Sequence, residues 1–186
     1  MYLISFIKSI GGLTIKTFWG LKKSEQWATA YLHTIEDSFQ GKFDNKTKDK
    51  IVKRYSIQQH FINDSFSSLL GRNNNDREKE RNLLYFIMVS VYDDFFDDKT
   101  LTLDQIDAIF YHPETYLAQT FFERVFIYTH IKLLNDVADK AQYFKDFEGL
   151  HIAQKDSLEQ FNPQISDEAL LSITTRKGGY CLLMCR

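Results

Sequence analysis

Residues 92–98 read Tyr92-Asp93-Asp94-Phe95-Phe96-Asp97-Asp98, four carboxylates within six positions. On a helix, Asp93, Asp97 and Asp94 fall within an arc of about 100°, and Asp98 lies about 40° beyond Asp94. Carboxylates crowded on one face repel one another, and the C-terminal end of a helix disfavours negative charge. A positive partner is therefore expected, and hard divalent cations suit it: Mg²⁺ takes oxygen ligands and bridges one or two carboxylates to a substrate's phosphates. The competing reading is a helix end open to water. An EF-hand starting at Asp93 does not fit, because Phe95, Asp98 and Asp104 stand where a ligand, a Gly and a Glu are required. His33, His60, His112, His130 and His151 show no pair at metal-ligand spacing and read as core or surface residues. Cys181 and Cys185 supply half a zinc site at most, and a small core residue is the expectation for each. A Gly-rich phosphate loop, a nucleophile elbow and a zinc-protease motif are all missing from the sequence. The basic run Lys42, Lys46, Lys48, Lys50, Lys53 and Arg54 reads as a solvated face.

The elements that must position these residues are helical. The chain has 186 residues, 44% hydrophobic and 15% aromatic, which suits a single helical domain over residues 1–186 with a sizeable core. Only 2 Pro and 8 Gly occur, too few for a sandwich with regular turns or a disordered Pro/Gly chain. A formal net charge of −2 argues against a polycationic nucleic-acid binder. The first twenty residues are apolar but carry Lys8, Gly11-Gly12 and Lys16, so they predict neither a secretory signal nor a spanning helix. They read as a first helix burying Leu3, Phe6, Ile7 and Ile10, with a membrane-surface helix as the alternative. Ser24 is expected to cap a helix bearing Trp27, Tyr31, Leu32, Ile35 and Phe39. Residues 41–50 read as a surface loop. A helix burying Ile51, Tyr55, Gln58, Phe61 and Ile62 then runs to near Gly71.

From Leu83 to Phe96, 11 of 14 residues are apolar, with no polar stripe on any face. A helix of that kind is a central one. Thr102 and Gln105 have capping-box spacing for a short helix through Phe110. Pro113 suits the first position of a helix carrying Phe121, Phe122, Val125, Phe126, Tyr128 and Ile131 towards Phe147. Ser166-Asp167-Glu168 predict a final helix from Ala169 onwards. The apolar ending Gly178-Gly179-Tyr180-Cys181-Leu182-Leu183-Met184-Cys185-Arg186 gives the expectation of a piece of a longer domain. No shift in composition marks a second domain.

Asp93-Asp94-Phe95-Phe96-Asp97, a DDxxD pattern on a long apolar helix, resembles the first aspartate-rich motif of class I isoprenoid-diphosphate enzymes. Gln154-Lys155-Asp156-Ser157-Leu158 and Ile173-Thr174-Thr175-Arg176-Lys177-Gly178-Gly179 are similar to later segments of the polyprenyl synthase branch, and the resemblance covers residues 78–186. It implies an all-α helical bundle of the terpenoid synthase fold, of which this chain would supply the amino-terminal portion. It also implies Mg²⁺ held by Asp93, Asp94 and Asp97 with Asp98 nearby, and a prenyl diphosphate substrate ionised in an aromatic-lined pocket, then coupled, extended or cyclised. Lys177 would meet the diphosphate, Gln154 would sit at the pocket wall, and Phe96 and Tyr92 would line the pocket. Gly178-Gly179 within a helix costs about 1 kcal/mol per Gly and suggests a kink or a close approach. The arginine pair expected soon after DDxxD is replaced by Lys99 alone, and the second aspartate motif belongs some sixty residues beyond Lys177. This chain by itself is therefore expected to be inactive. A non-catalytic helical protein binding a prenyl chain, a lipid or a protein partner is the alternative. A reducing cytoplasm, no nucleic-acid partner, a homodimer and peripheral membrane contact complete the expectations.

Overall fold

The computed structural model describes residues 2–183, with side chains described from Trp19 to Cys181. The protein is all-α, and no strand occurs among the described residues. In chain order the helices are α1 (Tyr2–Phe39), α2 (Asn45–Ile57), a π-helical stretch (Gln58–Asn63), α3 (Asp64–Leu69), α4 (Asp76–Asp97), α5 (Leu103–Tyr111), α6 (Phe121–Asp136), α7 (Lys140–Ser157), a 3₁₀ turn (Leu158–Phe161) and α8 (Asp167–Leu183). The chain divides into two compact units, Met1–Phe86 and Ile87–Arg186, so α4 contributes its first half to one and its second half to the other. Among the described residues no helix is long and apolar enough to cross a membrane.

Most helix starts follow from local chemistry. Thr102 and Gln105 form the expected capping box, and Thr120 and Glu123 form another at the start of α6. Asn75 and Glu78 exchange side-chain-to-backbone hydrogen bonds at the start of α4. The Ser166 hydroxyl accepts from the Ala169 N–H at 3.2 Å, where the sequence predicts the start of the last helix.

Several expectations are corrected. Ser24 is no N-cap, because α1 runs unbroken through it to Phe39. Residues 41–50 are mostly helix: the Asp44 carboxylate accepts from the Thr47 N–H at 2.8 Å and starts α2 at Asn45. Pro113 lies in a turn, and the single helix expected from there to Phe147 is two, restarted by the Asp139 cap on Gln142. Cys181 is half-buried rather than core, while Cys185 lies outside the described residues. The side chains of Leu3, Phe6, Ile7 and Ile10 also lie outside them.

The first unit packs Ala28, Leu32 and Ile35 of α1 with Phe43, Ile51 and Tyr55, all buried. Trp27 stacks on Tyr55 at 5.6 Å, and the Tyr31 hydroxyl donates to Glu80 at 2.6 Å. Gly20 meets the His60 ring so closely that a Cβ there would lie 2.2 Å from it. Phe61 and Ile62, expected inside, are exposed. The π-helical stretch explains this. It takes up one extra residue, which rotates the downstream positions by about 100° relative to α2 and turns Ile62 off the face that carries Ile51 and Tyr55.

In the second unit, α4 is buried on every side from Ile87 to Tyr92, as an all-round apolar helix requires. Tyr92 sits at the centre of an aromatic cluster, 5.0 Å from Phe126, 5.4 Å from Phe96 and 5.5 Å from Phe147. Contacts of this kind add about 0.5–1.5 kcal/mol each beyond the area they bury.

Candidate functional site

The last turn of α4 carries the aspartates, and the structure separates them by environment. Asp93 and Asp94 are half-buried, whereas Asp97 and Asp98 are exposed at the helix end. Asp93 receives two donors on one oxygen: the Lys177 ammonium of α8 lies 2.9 Å from Oδ1, and the Gln154 side-chain amide of α7 donates to the same Oδ1 at 3.0 Å. Three residues predicted for the site thus meet, from three helices. The geometry is supported from behind. The Ser157 hydroxyl donates to the Gln154 backbone carbonyl at 2.6 Å and lies 3.5 Å from the Gln154 side-chain oxygen, and Arg176 pairs with Asp156 at 2.7 Å, tying α8 to α7 beside Lys177. Closer to the middle of α7, Gly149 admits the Tyr180 ring; a Cβ there would lie 2.2 Å from the ring.

Asp93 and Lys177 leave 16% and 28% of their side chains exposed, so the pair is partly screened, and its contribution to stability is modest. What it supplies is placement. A carboxylate and an ammonium are held side by side at the edge of an apolar core, where charge interactions are stronger than in open water.

No group of three or more His, Cys, Asp and Glu side chains is arranged to hold a metal ion among the described residues. The four aspartates therefore do not form a preassembled cage. Their donor type still fits Mg²⁺, since hard oxygens are what that ion takes, and it is commonly held by one or two carboxylates with waters and substrate oxygens completing the octahedron. Tyr92 and Phe96, expected on a pocket wall, are buried in ring-to-ring contact within the aromatic cluster. Gly178 and Gly179 lie within α8 and have no neighbour within 4 Å of an added Cβ, so the expected close approach of a neighbouring helix is not found there. Lys99, the cation nearest the motif in sequence, takes a left-handed backbone (φ 51°) just past α4 and places its ammonium 5.6 Å from the Phe161 ring.

A second polar chain, which sequence reasoning misses, runs alongside. Tyr92 hydrogen-bonds to His151 Nδ1, His151 Nε2 lies 2.9 Å from Asp107 Oδ1, and Lys155 holds Asp107 Oδ2 at 2.8 Å. His151 stacks on Phe110 at 4.3 Å and 8°. Burial lowers the His151 pKa, the Asp107 carboxylate pulling the other way. Burial tends to raise the Asp107 pKa, but Lys155 and then His151 outweigh it and leave it lowered. Burial also pushes the Tyr92 hydroxyl well above its ordinary range. A neutral His151 donating from Nε2 and accepting at Nδ1 satisfies both neighbours. His151 and Lys155 are one turn apart on α7, a detectable spacing, but Asp107 lies on a different helix and nothing local links them.

Comparison with family models, with curated proteins and with solved structures returns no match.

Proposed function

We propose that the second unit carries a diphosphate-binding site of the class I isoprenoid type, serving Mg²⁺-dependent ionisation of a prenyl diphosphate before coupling, extension or cyclisation. The observation that carries this reading is the meeting of Asp93, Gln154 and Lys177 on one carboxylate oxygen, the first two 61 residues apart in sequence. In this site Lys177 is the fixed cation for a diphosphate oxygen, and charge-assisted contacts of that kind are about twice as strong as neutral ones. The Gln154 side chain, whose oxygen lies 3.5 Å from the Ser157 hydroxyl, orients the Asp93 carboxylate. Asp93 and Asp94 would hold Mg²⁺, with Asp97 and Asp98 beside them, and the ion would neutralise charge on the departing diphosphate. During ionisation the carbon–oxygen bond breaks and its electron pair leaves with the diphosphate, so a fixed ammonium there lowers the barrier.

The second aspartate motif that the resemblance implies is not among residues 1–186, so the test is one of binding. Farnesyl diphosphate is titrated calorimetrically into the full chain with Mg²⁺ and with chelator, for wild type, Asp93→Asn and Lys177→Met, with circular dichroism as the check on folding. Binding is expected to need Mg²⁺ and to weaken by about 10- to 100-fold in each variant. Equal binding with and without Mg²⁺, or binding indifferent to both substitutions, would refute the site. A second reading is a non-catalytic binder of a prenyl chain; the aromatic cluster around Tyr92 and Phe96 is packed ring to ring and would have to open to admit one. Farnesol binding as tightly as its diphosphate would select it.

A further inference from the structure

The segment from Ser56 to Leu70 is inside out. Its buried face is polar: Ser56, Gln59 and Ser67 are at most 4% exposed. Gln59 donates to Asp64 at 2.8 Å and accepts from Asn82 at 3.2 Å, while Asn74 donates to Asp64 at 3.0 Å. Its outer face is mostly apolar, interrupted by the exposed Ser65 and Ser68. Ile57, Phe61, Ile62, Phe66, Leu69 and Leu70 are all exposed, Phe66 by 63%, Leu70 by 74% and Leu69 by 83%. Steps of three or four residues from Ile57 to Phe61, Ile62 to Phe66 and Phe66 to Leu69 or Leu70, through a π-helical stretch, set them along one side of the segment. Exposed large apolar side chains scattered singly need no explanation, but six in a fourteen-residue stripe do.

The same side continues backwards into charge. Lys46, Lys50, Lys53 and Arg54 precede Ile57 at helical spacing on α2, and none of the four is buried. The first unit as a whole carries 14 Lys and Arg against 9 Asp and Glu, a formal +5, while the second carries 9 against 16, a formal −7. A basic stretch running into an apolar stripe matches the profile of an anionic bilayer, phosphates outside and acyl chains within. A second copy fits poorly. Laid parallel, two such faces oppose lysine to lysine; laid antiparallel, they oppose lysine to leucine.

We propose that this face, Lys46 to Leu70, docks the protein on an anionic membrane surface, with Phe66, Leu69 and Leu70 entering the headgroup–acyl boundary and the α2 basic residues meeting lipid phosphates. The helix lies on the membrane and does not span it, consistent with the absence of a spanning helix among the described residues. The proposal is independent of the diphosphate site, which sits wholly in the other unit.

The test is sedimentation of the full chain with vesicles of phosphatidylcholine, with and without about 30 mol% phosphatidylserine. Trp19, 63% exposed and next to the Gly20–His60 contact, gives a fluorescence readout in parallel. Binding to the anionic vesicles is expected, weaker by at least about tenfold on phosphatidylcholine alone. Phe66→Ser with Leu70→Ser should reduce it by at least about tenfold per side chain, and Lys50→Glu with Arg54→Glu by about fivefold per charge removed. These positions are outside the core, and circular dichroism verifies that each variant folds. No binding to either vesicle overturns the proposal, as does binding unchanged in the Phe66→Ser, Leu70→Ser protein. Light scattering that shows a dimer in wild type and a monomer in that variant assigns the face to a second copy and also overturns it.

Discussion

His130 offers a test of the second unit's interior in which sign and size both follow from the structure. It lies on α6, 1% exposed, stacked at 5.8 Å on Phe126 and at 6.0 Å on Tyr143, with Phe147 4.9 Å away. Its Nδ1 is 3.4 Å from the Tyr143 hydroxyl. Burial is the cause that lowers its pKa from 6.5 to about 4. The unfolded chain takes a proton on this ring as pH drops through 6.5, while the folded chain resists until about 4. Between those values the unfolded state binds more protons, so stability contributed by neutral His130 is full above 6.5 and is lost as pH falls towards 4. The gap corresponds to about 2 kcal/mol lost by pH 5 and about 3 kcal/mol by pH 4, set against a typical total of about 5–15 kcal/mol. Urea unfolding of wild type and His130→Phe near pH 7 and near pH 5 isolates this ring. His151 is lowered in the same direction but is present in both proteins, so its contribution cancels. Phenylalanine keeps the stacking and leaves the Tyr143 hydroxyl its contact with the Met88 sulfur at 3.5 Å. The variant should lose about 2 kcal/mol less than wild type on acidification. Identical pH dependence in the two proteins would mean that His130 is already protonated in the fold or is open to water.

Two further predictions concern backbone geometry. Gly149→Ala places a Cβ 2.2 Å from the Tyr180 ring; overpacking should outweigh the gain in helix propensity and lower stability by about 1–2 kcal/mol in thermal melts, and that cost should disappear in a Tyr180→Ala background. Gln40 ends α1 with φ 49°, and the Gly41 N–H closes back on the Glu36 carbonyl at 3.1 Å; Gln40→Gly removes the left-handed strain and should raise Tm by about 2–4 °C, no change or a fall counting against it.

How far the sequence carries depends on the range of the interaction involved. Local chemistry is legible. The Thr102–Gln105 box and the Ser166 start are formed by residues three apart, and the buried α4 interior follows from a run with no polar face. The meeting of Asp93, Gln154 and Lys177 is legible through motif order, since no periodicity links residues that distant. The features that escape depend on phase and competition. A single π-helical stretch turns Ile62 outwards, because helical spacing assumes a constant residues-per-turn. Gln59 takes the inner position because Asp64 and Asn82 satisfy it there, a network invisible to hydrophobic patterning. Asp44, inside a polar stretch that reads as loop, caps α2 because its carboxylate reaches the Thr47 N–H. Gly178-Gly179 stands out through its helix cost, but open space surrounds both residues.

The near-neutral net charge of −2 conceals a division that bears on both the proposed diphosphate site and the proposed membrane face. A chain with +5 in one unit and −7 in the other is two electrostatic objects, and averaging them discards the useful signal. The acidic unit would repel a free diphosphate, so Asp93 and its neighbours need a cation before such a ligand can approach. Lys177 supplies one fixed charge and a divalent ion would supply two more. Mg²⁺ dependence, rather than affinity, is therefore the informative quantity for testing the proposed diphosphate site. The basic unit faces the opposite problem. Its lysines would attract anionic surfaces of any kind, and under the proposed docking only the adjoining stripe from Ile57 to Leu70 would select a bilayer from among them, because a polyanion without an apolar interior offers those side chains nothing.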